Sequence, residues 1–250
     1  YGMEAYKVAS ADLTNHELLG ALVKTGKPLI CSTGMSTELE IKKAIHFLQS
    51  RSANFILMHC NSTYPTPYKD VNLSYISRLR DLSSRFVGYS GHERGISIAI
   101  AAVALGAKII EKHFTLDRSM EGNDHKVSLL PDEFKMMVAE IRNVETSLGK
   151  NNERVISQGE LLNRETLAKS IVAGKEIFKG DLLTEDMFDF KSPGQGLQPM
   201  YVDDLVGKKA KRDFTIGDYF YESDVHGEEI KPRNYSFSRP FGIPVRYHDY

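Results

Sequence analysis

The chain has 250 residues, 41% of them hydrophobic and 26% charged, with a formal net charge of -1. That length accommodates one large domain or a medium domain with a small companion, and the balance excludes a disordered tail, a collagen-like fibre and a polybasic nucleic-acid binder. The longest uncharged stretch, Gly95 to Ala107, ends at Lys108, short of the roughly 20 apolar residues that cross a bilayer, so no membrane association is expected.

The first 149 residues repeat one rhythm, a short apolar or β-branched run followed by a helical stretch, which is the βα pattern. Strands are predicted at Tyr6–Ala9, Pro28–Cys31, Asn54–His59, Phe86–Tyr89 and Lys108–Lys112. Helices are predicted at Asn15–Lys24, Thr37–Ser50, Val71–Ser83, Gly95–Leu105 and Pro131–Leu148. Thr37 with Glu40 three residues on makes a capping box, and Gly26 closes the helix that Thr14 precedes. The helix from Gly95 is apolar almost all round, as a helix covered on both sides would be.

Residues 150–165 break the rhythm with a polar run of Asn, Arg, Gln and Glu, which reads as a linker with at most one short helical turn. Residues 166–226 form short strand-like pieces (Ser170–Ala173, Phe188–Lys191) punctuated by glycines, the pattern of a compact β-rich module. Residues 227–250, with Pro232, Pro240 and Pro244 among aromatics and arginines, read as a tail or the opening of a further domain. Cys31 and Cys60 cannot make a disulfide framework; they fit a cytoplasmic protein in which both are small buried hydrophobes.

In a parallel α/β sheet or barrel, ligands bind beyond the carboxyl ends of the strands. Here those ends carry Lys7 and Ser10, then Ser32-Thr33-Gly34, then His59 to Tyr64, then Tyr89-Ser90-Gly91-His92, then Glu111-Lys112-His113. Hydroxyls, turn amides and an ammonium together suit a phosphate or another anion. Any one of these serines alone is more often a helix N-cap, and His92 or His113 alone more often structural. Their joint placement on adjacent strands shifts the balance, because two imidazoles above one rim, with oxygens from substrate and water, would hold Mn²⁺ or a similar ion.

These motifs, Tyr6-Lys-Val-Ala-Ser10, Gly26-Lys-Pro-Leu-Ile-Cys-Ser-Thr-Gly-Met35, His59-Cys-Asn-Ser-Thr-Tyr-Pro65, Gly88-Tyr-Ser-Gly-His92, Glu111-Lys-His-Phe-Thr-Leu-Asp117 and Gly122-Asn-Asp-His125, resemble those of the sialic acid synthase family. The later module, with Ser170-Ile-Val-Ala173, Ser192-Pro-Gly-Gln-Gly196 and Leu205-Val-Gly-Lys208, resembles the antifreeze-like (SAF, β-clip) domain that follows the barrel there. The resemblance implies a (β/α)8 TIM barrel of which only strands four to eight are present, then the small SAF domain. The chain would thus be a fragment lacking site residues of the earlier strands, and open sheet edges would leave it unstable or inactive alone.

The implied reaction condenses phosphoenolpyruvate with an N-acetylated hexose such as N-acetylmannosamine, giving a nine-carbon 2-keto acid and phosphate. The implied roles place Lys7, Ser10, Ser32, Ser62 and Ser90 on phosphoenolpyruvate, Tyr64 in the sugar pocket, and His92 and His113 on a divalent metal (Mn²⁺ or Mg²⁺) that polarises the sugar aldehyde. Lys7, Asp12 and His92 are the implied catalytic residues, and a homodimer exchanging its SAF domain is the implied assembly. The chain departs from the family pattern at three positions: Asp12 stands where Glu is common, Gly91 replaces an Asp, and Ser192 replaces an arginine that reaches the partner's site. Two other readings compete. One is a Schiff-base aldolase using Lys7 or Lys112 on a pyruvate-like ketone; the other is a non-catalytic carbohydrate-binding or assembly module.

Overall fold

The computed structural model describes residues 2–226; the tail expected at 227–250 lies outside the described residues. The chain divides into two compact units, Tyr1–Asn151 and Asn152–Tyr250.

In the first unit, β1 (Tyr6–Val8), β2 (Leu29–Ser32), β3 (Phe55–Cys60), β4 (Val87–Gly91) and β5 (Ile110–Lys112) form one parallel sheet in sequential order. The helices α1 (His16–Val23), α2 (Glu38–Gln49), α3 (Tyr68–Val71), α4 (Tyr75–Ser83), α5 (Ser97–Ala104) and α6 (Pro131–Leu148) fill the connections. Sequential parallel strands with intervening helices are the (β/α)8 barrel pattern, here five strands of it. The α2 helix shows how the chain specifies this. The Thr37 amide donates to Glu40 Oε2 at 2.7 Å, the Glu40 amide donates to Thr37 Oγ1 at 3.4 Å, and Ile41, Ala44, Ile45 and Leu48 form the buried stripe.

The core joins Val8, Leu29, Cys31, Phe55, Leu57 and Val87 of the strands to Leu19, Leu48, Ile76 and Leu79 of the helices. Each large apolar side chain buried there contributes about 1.5–3 kcal/mol. That burial, rather than propensity, holds helices as short as α1 and α4, which would be marginal alone. The helix predicted over Val71–Ser83 starts later, at Tyr75, and Val71 instead closes the separate short α3. Asn72 takes the left-handed conformation at φ 50°, ending α3, and α4 begins at Tyr75; asparagine is among the few non-glycine residues that visit this region readily. Cys31 is fully buried, as expected, and burial pushes its thiol up to about 12.

In the second unit, α7 (Gln158–Leu167) precedes the antiparallel pair β6 (Ser170–Ala173) and β7 (Phe188–Lys191). Isolated bridges such as Ile177↔Phe214 and Leu182↔Lys209 extend the β-rich module around a core of Ile171, Leu183, Leu205, Phe214 and Phe220. The stretch read as a linker, 150–165, therefore contains most of a 10-residue helix. Its start is a second capping box, Ser157 with Glu160, a signal that the polar composition masks. Its end is anchored by Gly194, whose amide donates to the Glu165 carbonyl at 2.8 Å. A Cβ at that glycine would lie 2.3 Å from the Arg164 carbonyl oxygen, so only glycine permits this approach. No helix among the described residues is long and apolar enough to cross a membrane.

Candidate active site

The parallel register places Lys7 beside Ile30, Ser32 beside Met58, Cys60 beside Ser90, and Gly91 beside Lys112, so the chain leaves all five strands at the same rim. A cavity of about 310 Å³ opens there. Lys7, Ser10, Ser32, Ser62, Tyr64, Ser90, His92 and His113 all line it. Asp12 does not: it ends a 3-10 turn, Ser10–Asp12, that follows β1. Asp12, expected among the catalytic residues, is thus not among the side chains that line this cavity.

Lys7 is the cation of the cavity. Its Nζ donates to Ser32 Oγ at 2.8 Å and lies 3.4 Å from Glu111 Oε2. Glu111 in turn accepts from Ser90 Oγ at 3.1 Å, so one carboxylate links β1 to β4 across the mouth. Ser10 Oγ donates to Cys60 Sγ at 3.5 Å, and Ser62 Oγ lies 3.9 Å from the same sulfur. Gly34 makes this convergence possible, because a Cβ there would sit 2.2 Å from Ser62 Oγ and 2.7 Å from Ser10 Oγ.

The two histidines meet edge to face, ring centroids 5.1 Å apart. His92 Nδ1 donates to the Asn61 carbonyl at 2.7 Å, which leaves Nε2 as an acceptor for Tyr64 Oη at 2.9 Å. Burial works against charge on His92, but the Cys60 thiol and the Asn61 carbonyl outweigh it and hold this ring above its ordinary value. Burial and the neighbouring His92 hold His113 below its own, and its Nδ1 faces Asp124 Oδ2 at 3.7 Å. Burial likewise raises the Tyr64 phenol, keeping it a donor.

Among the described residues, no three His, Cys, Asp or Glu side chains cluster as a metal site. As a pair, however, the imidazoles fit a divalent ion. Each turns Nδ1 toward an oxygen, the orientation in which outer partners set a ligating histidine's tautomer and ring plane. Remaining positions would fall to substrate and water oxygens.

Two residues at this site were not singled out as ligands. Glu111 was visible only as a strand-end carboxylate, and nothing local marks it as the partner of Lys7, 104 residues away in the chain. Cys60 is buried, as expected of a small hydrophobe, yet it also lines the cavity. Burial alone would raise its thiol, yet contacts with His92, Ser10 and Ser62 outweigh that and hold it below the ordinary value. Conversely, His59 and Lys112 turn away from the cavity: His59 Nε2 donates to the Val71 carbonyl at 2.7 Å, and Lys112 is buried against Glu93. A larger concavity of about 620 Å³ between α2 and α3 shares Cys60 and Ser62 but contains neither Lys7 nor either of the paired imidazoles.

A model of the NeuB family matches residues 1–153, and one of the SAF domain matches residues 168–226. The chain is 40% identical over 216 residues to the N,N'-diacetyllegionaminic acid synthase of Campylobacter jejuni, covering 85% of this chain and 64% of that protein. It is 39% identical over 230 residues to the N-acetylneuraminate-9-phosphate synthase of Homo sapiens, covering 90% and 64%. The chain thus spans less than two thirds of these curated relatives. Among solved structures, the N-acetylneuraminic acid synthetase of Leptospira borgpetersenii, crystallised with citrate, aligns with a TM-score of 0.61 at 38% identity, covering 66% of this chain and 59% of that one. With a five-stranded parallel sheet, a polar rim and a small β-rich module in this order, the chain belongs to the NeuB family and carries a SAF domain after its barrel strands.

Proposed function

We propose that the protein condenses phosphoenolpyruvate with an N-acylated hexose to a 2-keto sugar acid, releasing inorganic phosphate. The observation that carries this reading is the joint lining of one cavity by the Lys7 ammonium, the hydroxyls of Ser10, Ser32, Ser62 and Ser90, and the paired imidazoles. Fixed donors around a dianionic phosphate and a carboxylate match the ligand's charge in both ground and transition states. A divalent ion held by His92 and His113 would act as a Lewis acid on the acceptor's aldehyde.

Lys7 and the serine hydroxyls hold the enol ester so that its C3 faces that aldehyde carbon; the C–C bond forms there, and the carbonyl oxygen becomes the product hydroxyl. Water adds to C2, and phosphate departs with C–O cleavage. Tyr64, whose hydroxyl lies 2.9 Å from His92 Nε2 in the same cavity, would meet the sugar. The Schiff-base alternative loses support, because Lys112 is sealed against Glu93 and Lys7 is engaged by Ser32 and Glu111. The same reading makes the protein a cytoplasmic homodimer that exchanges its SAF domain.

The test incubates the full-length protein with phosphoenolpyruvate, Mn²⁺ and a panel of N-acylated hexoses, reading released phosphate and product mass. Lys7→Met should lower kcat/KM by at least about a hundredfold, the scale of losing one preorganised donor at about 2.7–4 kcal/mol. Unchanged turnover in that variant, or a pyruvate adduct on Lys7 trapped by borohydride, would overturn the proposal.

A further inference from the structure

Beneath the paired histidines lies a buried network that the reaction does not touch. Lys112 Nζ donates to Glu93 Oε1 at 2.9 Å and to the Glu93 carbonyl at 2.6 Å, and both side chains are completely shielded from solvent. The other carboxylate oxygen accepts from Tyr89 Oη at 2.6 Å. Tyr89, Glu93 and Lys112 are all absent from the cavity lining, whereas Ser90, His92, Glu111 and His113 line it. The two sets alternate along the chain, as the period of two of a strand requires.

The placement of this network matters more than its burial. The β4–β5 ladder ends at the pair Gly91↔Lys112, and the next residues on the two strands are His92 and His113. Past that pair the strand register no longer holds the backbones together. The Glu93–Lys112 bonds are the cross-link immediately beyond it, with one partner directly after His92 and the other directly before His113. Gly91 belongs to the same device: a Cβ there would lie 2.7 Å from Glu93 Oε2, 2.8 Å from Glu93 Oε1 and 2.7 Å from Tyr89 Cε1. The carboxylate of residue 93 therefore fills the space that a side chain at 91 would need, which explains why the acidic residue expected at 91 is a glycine.

We infer that Glu93 is a positioning residue: its carboxylate, clamped between Tyr89 and Lys112 and admitted by Gly91, sets the separation of His92 and His113 without touching substrate. This inference rests on the metal-dependent synthase reading for its consequence, but the geometry it claims can be measured without metal. Outer partners of ligating histidines characteristically change metal affinity by 10–100-fold.

The test uses the intact protein with two variants. Glu93→Gln with Lys112→Met removes both charges together, avoiding a lone buried ammonium that could prevent folding. Gly91→Ala keeps both charges but drives a methyl into the carboxylate. Histidine-selective ¹³C labelling reports the ring-to-ring nuclear Overhauser effect between His92 and His113 in metal-free protein, and calorimetry reports Mn²⁺ and phosphoenolpyruvate affinity. The expected result for both variants is a cooperative melt, loss of the ring-to-ring signal, Mn²⁺ binding weakened by at least about tenfold, phosphoenolpyruvate binding changed by less than about twofold, and kcat reduced with KM for phosphoenolpyruvate retained. Folded variants that keep the signal and the parent's Mn²⁺ affinity overturn the inference. A parent protein that binds no Mn²⁺ overturns the metal reading alone, and the ring-to-ring signal then decides the clamp.

Discussion

Gly34 offers the sharpest check on the cavity. Gly34→Ala would place a methyl 2.2 Å from Ser62 Oγ, 2.7 Å from Ser10 Oγ and 3.1 Å from Cys60 Sγ, so at least the Ser62 hydroxyl has to leave its place. A hydrogen bond to a charged group is worth about 1.5–3 kcal/mol. With 1.4 kcal/mol per tenfold, losing the Ser62 hydroxyl weakens binding of an anionic enol ester by about 10-fold to over 100-fold, and losing Ser10 as well compounds it. The cost to folding is smaller. Overpacking typically costs about 1–3 kcal/mol, and the crowded atoms here are the ends of side chains rather than backbone, which places the cost at the low end. Calorimetric titration of phosphoenolpyruvate into parent and variant, with a thermal melt of each, separates the two effects. A variant that melts near the parent and binds phosphoenolpyruvate with the parent's affinity would refute the assignment of Ser10 and Ser62 to anion binding.

Two further outcomes follow from the titrating groups. Cys31 is fully buried with its thiol pushed up to about 12, whereas Cys60 lines the cavity with its thiol held below the ordinary value, so iodoacetamide on the folded protein should alkylate Cys60 and spare Cys31, and phosphoenolpyruvate should slow the reaction. Peptide mass spectrometry reads this, and equal labelling of both cysteines contradicts it. His59 is held below its ordinary value because burial disfavours the charged ring more than the Val71 and Asn72 carbonyls favour it. The unfolded chain therefore takes up that proton first as pH falls, so the stability this residue contributes is complete above about pH 6.5 and shrinks below it. Melts between about pH 7.5 and 5.5 should show a falling Tm that is flatter in His59→Gln; identical slopes would show that another group is responsible.

Much of the architecture is legible in the residues alone, because a strand's apolar run and a helix's apolar stripe are local patterns. The five βα units, the capping box at Thr37 and the polar groups delivered to strand ends all follow from spacing, and the parallel topology then requires those ends to share a rim. Composition misleads where a polar run is also a capped helix, as at Gln158–Leu167, and where one asparagine in the left-handed region delays the start of a helix, as at Asn72.

The partners within the cavity are a different matter. That Lys7 meets Glu111, that Cys60 faces His92, that Asp12 is left off the cavity lining and that Glu93 occupies the space above Gly91 depend on register between strands and on which side of a turn each residue leaves. Residue types and intervals along the chain carry periodicity but no cross-strand distance. Only the packed sheet, by holding neighbouring strands in one register, determines which of the available charges and hydroxyls touch.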